Sequence, residues 1–200
     1  YAGIIKNKIE NGEIKIIPVV QATDVKEISQ ISKLEIWVQK IDPVQFGAHT
    51  GAVLPEAVLE DGASGTFLNH SESKFENFQD LEKAVRRAKD VGLKTLIFAQ
   101  DLSELEKVIA LKPDFAAYEP PELIASPSTS IARSKPEDIK SAVELARKVG
   151  IPLIVGAGVK DAQDVKISLS LGAVGVAVSS AIVGAKDPKA VVLDLAKGFS

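Results

Sequence analysis

Short runs of β-branched and apolar residues recur along this chain, each followed by a segment of helical periodicity, and that alternation narrows the fold more than any other feature. Seven such runs can be read, at residues 14–20, 35–39, 65–69, 94–99, 114–118, 152–156 and 173–179. A helix between two strands returns the chain so that the strands lie parallel, which builds an α/β fold with helices covering the sheet. A parallel sheet of this rhythm either stays open, as in doubly wound folds, or closes into an eight-stranded barrel. Seven strands leave a barrel one short. Residues 1–12 read as the tail of a helix, so the eighth strand is expected before Tyr1, in keeping with a chain that starts with Tyr and contains no Met.

Start and stop signals frame the helices. Ser134-Lys135-Pro136-Glu137 reads as a capping box with an early Pro, and Ile139, Val143, Ala146 and Val149 keep helical spacing until Gly150. Asp161 predicts the cap of the next helix and Gly172 its end, while residues 78–91 form a helix stopped by Gly92. No linker or composition shift divides the chain, so one domain is expected over residues 1–200, its first βα unit missing or incomplete. With 46% hydrophobic residues in 200, a single core can be filled.

The composition also excludes classes of partner. Lys and Arg number 24 against 27 Asp and Glu, and no basic run is interleaved with aromatics, so nucleic acid is not an expected partner. Gly, Pro or charge breaks every apolar run short of the roughly 18–20 residues of a membrane span. Lys6 and Lys8 interrupt the opening apolar stretch before it can form a signal-peptide h-region. No membrane association and a cytoplasmic location are therefore expected. The absence of Cys removes disulfides and thiolate ligands, and His49 among scattered acids lacks metal-ligand spacing, so no metal site is expected.

Two strand ends carry chemistry-bearing side chains. The run Asp114-Phe115-Ala116-Ala117-Tyr118 ends in Glu119, and Gly65-Thr66-Phe67-Leu68 ends in Asn69-His70-Ser71-Glu72. Carbonyl chemistry beside a C–H bond needs a base for the carbon-bound proton and a donor for the carbonyl oxygen, and Glu119 and His70 can divide those roles. His70 precedes a helix start, whose N–H groups and dipole are expected to lower the imidazole pKa and keep it neutral. Glu72 stands ready to orient a substrate or cation, or serves merely as a helix N-terminal carboxylate. Gly156-Ala157-Gly158 and Val178-Ser179-Ser180 follow the last two strands, where a barrel usually binds phosphate through backbone N–H groups. Loops 41–53 and 120–133 have the length of lids or interfaces. Trp37 and Phe98 read as core.

Taken in order, Gln39-Lys40-Ile41-Asp42-Pro43, Gly47-Ala48-His49-Thr50-Gly51, Leu68-Asn69-His70-Ser71-Glu72, Tyr118-Glu119-Pro120-Pro121-Glu122-Leu123-Ile124 and Gly156-Ala157-Gly158 resemble triosephosphate isomerases of the short archaeal type. The resemblance implies a TIM (β/α)8 barrel that interconverts dihydroxyacetone phosphate and D-glyceraldehyde 3-phosphate without a cofactor, in glycolysis and gluconeogenesis. It implies Glu119 as proton shuttle and His70 as the group that polarises the carbonyl. Ile124 would lie on a closing lid. Gly156, Gly158, Ser179 and Ser180 would form the phosphate site, with Glu72 beside the substrate. Thr50 would tip a loop that inserts into a neighbouring subunit, making the protein a homo-oligomer, dimer or tetramer.

Three departures accompany the resemblance. No strand matches the family's Asn-x-Lys motif, Lys6-Asn7-Lys8 being placed in the helix tail that precedes Ile14. Ala125-Ser126-Pro127 replaces the glycines usual in the lid, and Lys40 stands where His is usual, a position read as outside the catalytic residues. Two other readings compete: a non-catalytic barrel acting as an interaction subunit, and another phosphate-binding barrel enzyme. The second accounts for the glycine turns but not for His70-Ser71-Glu72 together with Tyr118-Glu119-Pro120.

Overall fold

The computed structural model describes residues 2–8, 13–123 and 130–200. Its strands are β1 (Ala2–Lys8), β2 (Glu13–Val20), β3 (Trp37–Val38), β4 (Gly65–Leu68), β5 (Lys94–Ala99), β6 (Phe115–Tyr118), β7 (Leu153–Val155) and β8 (Gly175–Val178). They close into a barrel in chain order. From β2 to β8 every neighbouring pair is parallel, with Phe67 beside Leu96, Ala117 beside Ile154 and Val155 beside Val176. The seven strands read from the sequence are these seven, with ends shifted by a residue or two.

The first strand corrects the sequence reading. Ala2–Lys8 is a β-strand, not a helix tail, and it runs antiparallel to both β2 and β8, with Ile4 beside Ile17 on one side and Ala177 on the other. Only residues 9–12 separate it from Glu13, too short a connection for the crossover that parallel pairing needs. The physical reason is the open sheet. Without β1, the facing edges of β2 and β8 would each present a row of unpaired N–H and C=O groups, and one strand satisfies both.

Helices pack around the outside: α1 (Val25–Ile31), α2 (Pro55–Glu60), α3 (Phe78–Val91), α4 (Leu102–Ala110), α5 (Ile131–Ser134), α6 (Pro136–Lys148), α7 (Ala162–Ser170), α8 (Ser180–Val183) and α9 (Pro188–Lys197). Asp161 caps α7 by accepting from the Asp164 N–H at 3.0 Å, and Gly92, Gly150 and Gly172 follow helix ends with left-handed backbones, as their sequence signals predict. The proposed capping box does not form. Ser134 ends α5 and its hydroxyl donates to the Ser130 carbonyl at 2.7 Å, leaving Lys135 at the start of α6 without a side-chain cap.

Alternate strand residues face opposite sides of the sheet and so build two cores. Ile17, Val19, Trp37, Phe67, Leu96, Phe98, Phe115, Ala117 and Ile154 fill the barrel interior. Val38, Leu68, Ile97, Ala116, Tyr118 and Val155 face outward against the apolar stripes of the helices, Leu81, Val85 and Ala88 of α3 among them. Trp37 sets one tight constraint, because a Cβ on Gly65 would lie 2.3 Å from its indole ring. Phe115 and Ala117 point inward, so the same parity aims residue 119 into the mouth of the barrel.

Candidate active site

Glu119 follows β6 directly and is buried. Its Oε1 accepts from the Ala157 N–H at 3.3 Å. Its Oε2 is also shielded from solvent, lies 3.2 Å from His70 Nε2, and makes no hydrogen bond of acceptable geometry. A carboxylate oxygen left in this state keeps its lone pairs for an incoming proton.

His70 reaches Glu119 because the chain turns sharply at the end of β4. Asn69 adopts a left-handed backbone, φ 59°, which Asn tolerates better than other side-chain-bearing residues. Its amide donates to the Phe98 carbonyl at 3.1 Å and to Glu104 Oε1 at 3.0 Å, which fixes the turn. The imidazole then stacks edge-on against Phe98, ring centres 4.7 Å apart. His70 Nδ1 accepts from the Glu72 N–H at 3.3 Å, so in the neutral ring the proton sits on Nε2, facing Glu119.

The expected lowering of the His70 pKa is not what this environment produces. Burial does push it down, but the Glu119 carboxylate 3.2 Å away, with the charge of Glu72, outweighs burial and raises it. The helix that starts here is a single 3-10 turn, Ser71–Ser73, too short to offset two carboxylates. The neutral tautomer is nonetheless the form that lets Nδ1 accept from Glu72 while Nε2 donates across the site.

These side chains share a cavity of about 260 Å³ at the C-terminal mouth of the barrel. Phe67, His70, Glu72, Glu119, Gly158, Ser179 and Ser180 contribute to its lining. Glu72 is largely exposed, its carboxylate 3.7 Å from His70 Nδ1, and its backbone N–H is the group that hydrogen-bonds the imidazole. Gly156 is not among the residues lining the cavity, and its N–H donates to the Tyr118 carbonyl at 3.1 Å. Its lack of a side chain matters differently: a Cβ there would stand 2.8 Å from Glu119 Oε1. The next residue, Ala157, takes a left-handed backbone, φ 68°, at a cost of about 1–2 kcal/mol. That strain turns its N–H onto Glu119.

Ile124 and Pro127 lie outside the described residues, and with them the expected lid. The flanks of that segment are tied down. Glu122 pairs with Lys135, and Ser130 donates to the buried Asp164 at 2.6 Å, which also receives Arg133 Nε at 2.8 Å. Thr50 sits far along loop 41–53, in an exposed stretch, residues 45–51, that also contains Phe46, 76% exposed. The Val53 N–H donates to Asp42 at 2.7 Å and Arg87 donates to the Val44 carbonyl at 2.8 Å, so this loop is held at its base.

Lys40 was missed by the sequence reading. It lines the cavity rather than standing apart from it, because β3 ends at Val38 and the chain then passes over the barrel mouth. The signal available was its place directly after a strand. Among the described residues no three His, Asp or Glu side chains converge as a metal site would, and no helix is long and apolar enough to cross a membrane.

The family model described as triosephosphate isomerase matches residues 1–197. This chain belongs to the triosephosphate isomerase family. It is 37% identical to the triosephosphate isomerase of Metallosphaera sedula over 98% of this chain and 86% of that one. It is 41% identical to that of Saccharolobus solfataricus over 90% of this chain and 79% of that one. With that of Methanocaldococcus jannaschii it shares 32% identity over 98% and 90% respectively. The crystal structure of triosephosphate isomerase from Bartonella henselae superposes with a TM-score of 0.63 at 20% identity, covering 80% of this chain and 77% of that chain, which establishes the TIM-barrel fold.

Proposed function

We propose that this triosephosphate isomerase family member interconverts dihydroxyacetone phosphate and D-glyceraldehyde 3-phosphate, with Glu119 as base and His70 as electrophile. The observation that carries the reading is the pairing across one cavity of an unsatisfied, buried Glu119 Oε2 with His70 Nε2, 3.2 Å apart, while the other imidazole nitrogen accepts an N–H. A glutamate base beside a neutral histidine is the arrangement for which triosephosphate isomerase itself is the standard example.

In the reaction, Glu119 Oε2 takes the proton from C1 of the ketone while the His70 Nε2 N–H hydrogen-bonds to the carbonyl oxygen, stabilising the enediolate as charge moves onto oxygen. His70 Nε2 gives its proton to O2 and regains one from the O1 hydroxyl, protonated Glu119 returns its proton to C2, and the aldehyde forms at C1, so both side chains are regenerated and no external reductant is needed. The phosphate is read as lying against the backbone of Gly158, Ser179 and Ser180, and Ile124 as belonging to the lid that keeps water from the intermediate. Thr50 and its exposed loop are read as the contact to a second copy in a homo-oligomer. The protein is read as cytoplasmic and as serving glycolysis and gluconeogenesis.

Isomerisation of glyceraldehyde 3-phosphate, coupled to reduction of the dihydroxyacetone phosphate formed, tests the assignment beside a His70→Gln control. We expect measurable turnover that the control lowers by about 10²–10³-fold, the scale of losing one donor to a developing oxyanion. A folded wild-type chain with no turnover, or a control that turns over normally, rejects it.

A further inference from the structure

The cavity that holds Glu119 and His70 is lined by two carboxylates, those of Glu72 and Glu119, and by one imidazole. Lys40 is the only Lys or Arg among its described lining residues. A phosphomonoester carries about −1.5 to −2 charges near neutral pH. Such an anion entering beside two carboxylates is repelled unless a cation stands at the cavity, and Lys40 is the described group that meets this need.

The ammonium is held in place yet remains available. Lys40 Nζ lies 3.3 Å from Asp42 Oδ1 and 5.7 Å from the centre of the Phe75 ring. Asp42 is itself pinned, its Oδ2 accepting from the Val53 N–H at 2.7 Å, so the partner of Lys40 is set by the closed base of loop 41–53. Both members of the pair keep contact with solvent, 37% for Lys40 and 23% for Asp42, and a pair so exposed binds weakly. An ammonium has three N–H donors, and a single carboxylate oxygen does not use them all.

We propose that Lys40 is the substrate-binding cation of this site, its ammonium contacting the phosphate of the bound triose phosphate while Asp42 positions it at the rim. The proposal rests on the isomerase reading and adds to it a group on a strand end that neither the base nor the electrophile occupies.

Steady-state kinetics of the full chain as wild type, Lys40→Gln and Lys40→Arg, with inorganic phosphate as competitive inhibitor, test it. Lys40→Gln is expected to raise KM and the phosphate inhibition constant together by about tenfold to a hundredfold, the scale of one charge-assisted hydrogen bond, with kcat little changed. Lys40→Arg keeps the charge and restores most of the affinity. Unchanged KM and phosphate inhibition in folded Lys40→Gln, or a loss confined to kcat, overturns the role given to Lys40 while the isomerase reading stands. A wild-type chain without turnover rejects that reading instead, and a phosphate titration by NMR then decides the cation alone. Phosphate binding that Lys40→Gln removes sustains it; equal binding by both proteins, or none, overturns it.

Discussion

Glu35 and Glu119 are glutamates drawn into opposite ends of the same barrel, and they are treated in opposite ways. At the N-terminal end, Glu35 Oε2 pairs with Lys15, while Oε1 accepts from the Trp37 indole at 2.8 Å and from Lys94 at 3.1 Å. At the C-terminal end, Glu119 has one backbone donor for Oε1 and no hydrogen bond for Oε2. Glu35 is committed to holding three strands together. Glu119 is left short of partners in a cavity, and Asn69 and Ala157 beside it take left-handed backbones. The difference separates a carboxylate that stabilises the fold from one kept for reaction.

Removing the Glu119 charge should have the largest effect and should fall on catalysis alone. Glu119→Gln is expected to lower kcat by about 10²–10⁴-fold, the range for a positioned general base, with a melting temperature equal to or above that of the wild type. The stability half follows from the unsatisfied oxygen, since the variant removes a buried carboxylate whose Oε2 has no hydrogen bond. Kinetics beside calorimetry read both. A variant that melts well below the wild type while retaining turnover would erase the contrast with Glu35.

Gly156 offers a finer test, since it changes the position of the base and not its chemistry. In Gly156→Ala the new methyl would lie 2.8 Å from Glu119 Oε1, and the carboxylate must give way. A displacement on the order of 1 Å costs about 10²-fold in rate, so kcat should fall by up to that factor. A crystal structure of the variant should place the Glu119 carboxylate away from the Ala157 N–H. Normal turnover would mean that Gly156 is only a turn residue.

Much of this site was legible because strand parity and strand ends leave marks in sequence. The alternation Phe115, Ala117, Glu119 fixes which way the base points, and Asn69 before His70 marks a turn that Asn permits. What stayed hidden depended on neighbours far along the chain. Strand β1 is set by two open edges, β2 and β8, and not by any pattern within residues 2–8. The working part of Gly156 is its closeness to Glu119, and the His70 pKa rises because Glu119 arrives from another strand. Lys40 sits beyond a strand only two residues long, so its place over the mouth follows from barrel closure.

The smallest expected effect is at the other end of the barrel, and it should appear only in stability. Burial pushes the Glu35 pKa up, but hydrogen bonds from Lys15, Trp37 and Lys94 outweigh it and carry the group from 4.5 down to about 2. A carboxylate whose pKa is depressed on folding contributes stability in full above its unfolded value of 4.5, and that contribution is lost as the pH falls from 4.5 through about 2. Partial exposure at the barrel rim screens the interaction, so Glu35→Gln should cost about 1–2 kcal/mol at pH 7. Urea unfolding of both proteins between pH 7 and pH 3 should show the gap narrowing as the wild type loses its advantage, with kcat unchanged throughout. A gap that stays constant with pH would show that Glu35 stabilises by packing and not by charge, and the two glutamates would then differ only in position.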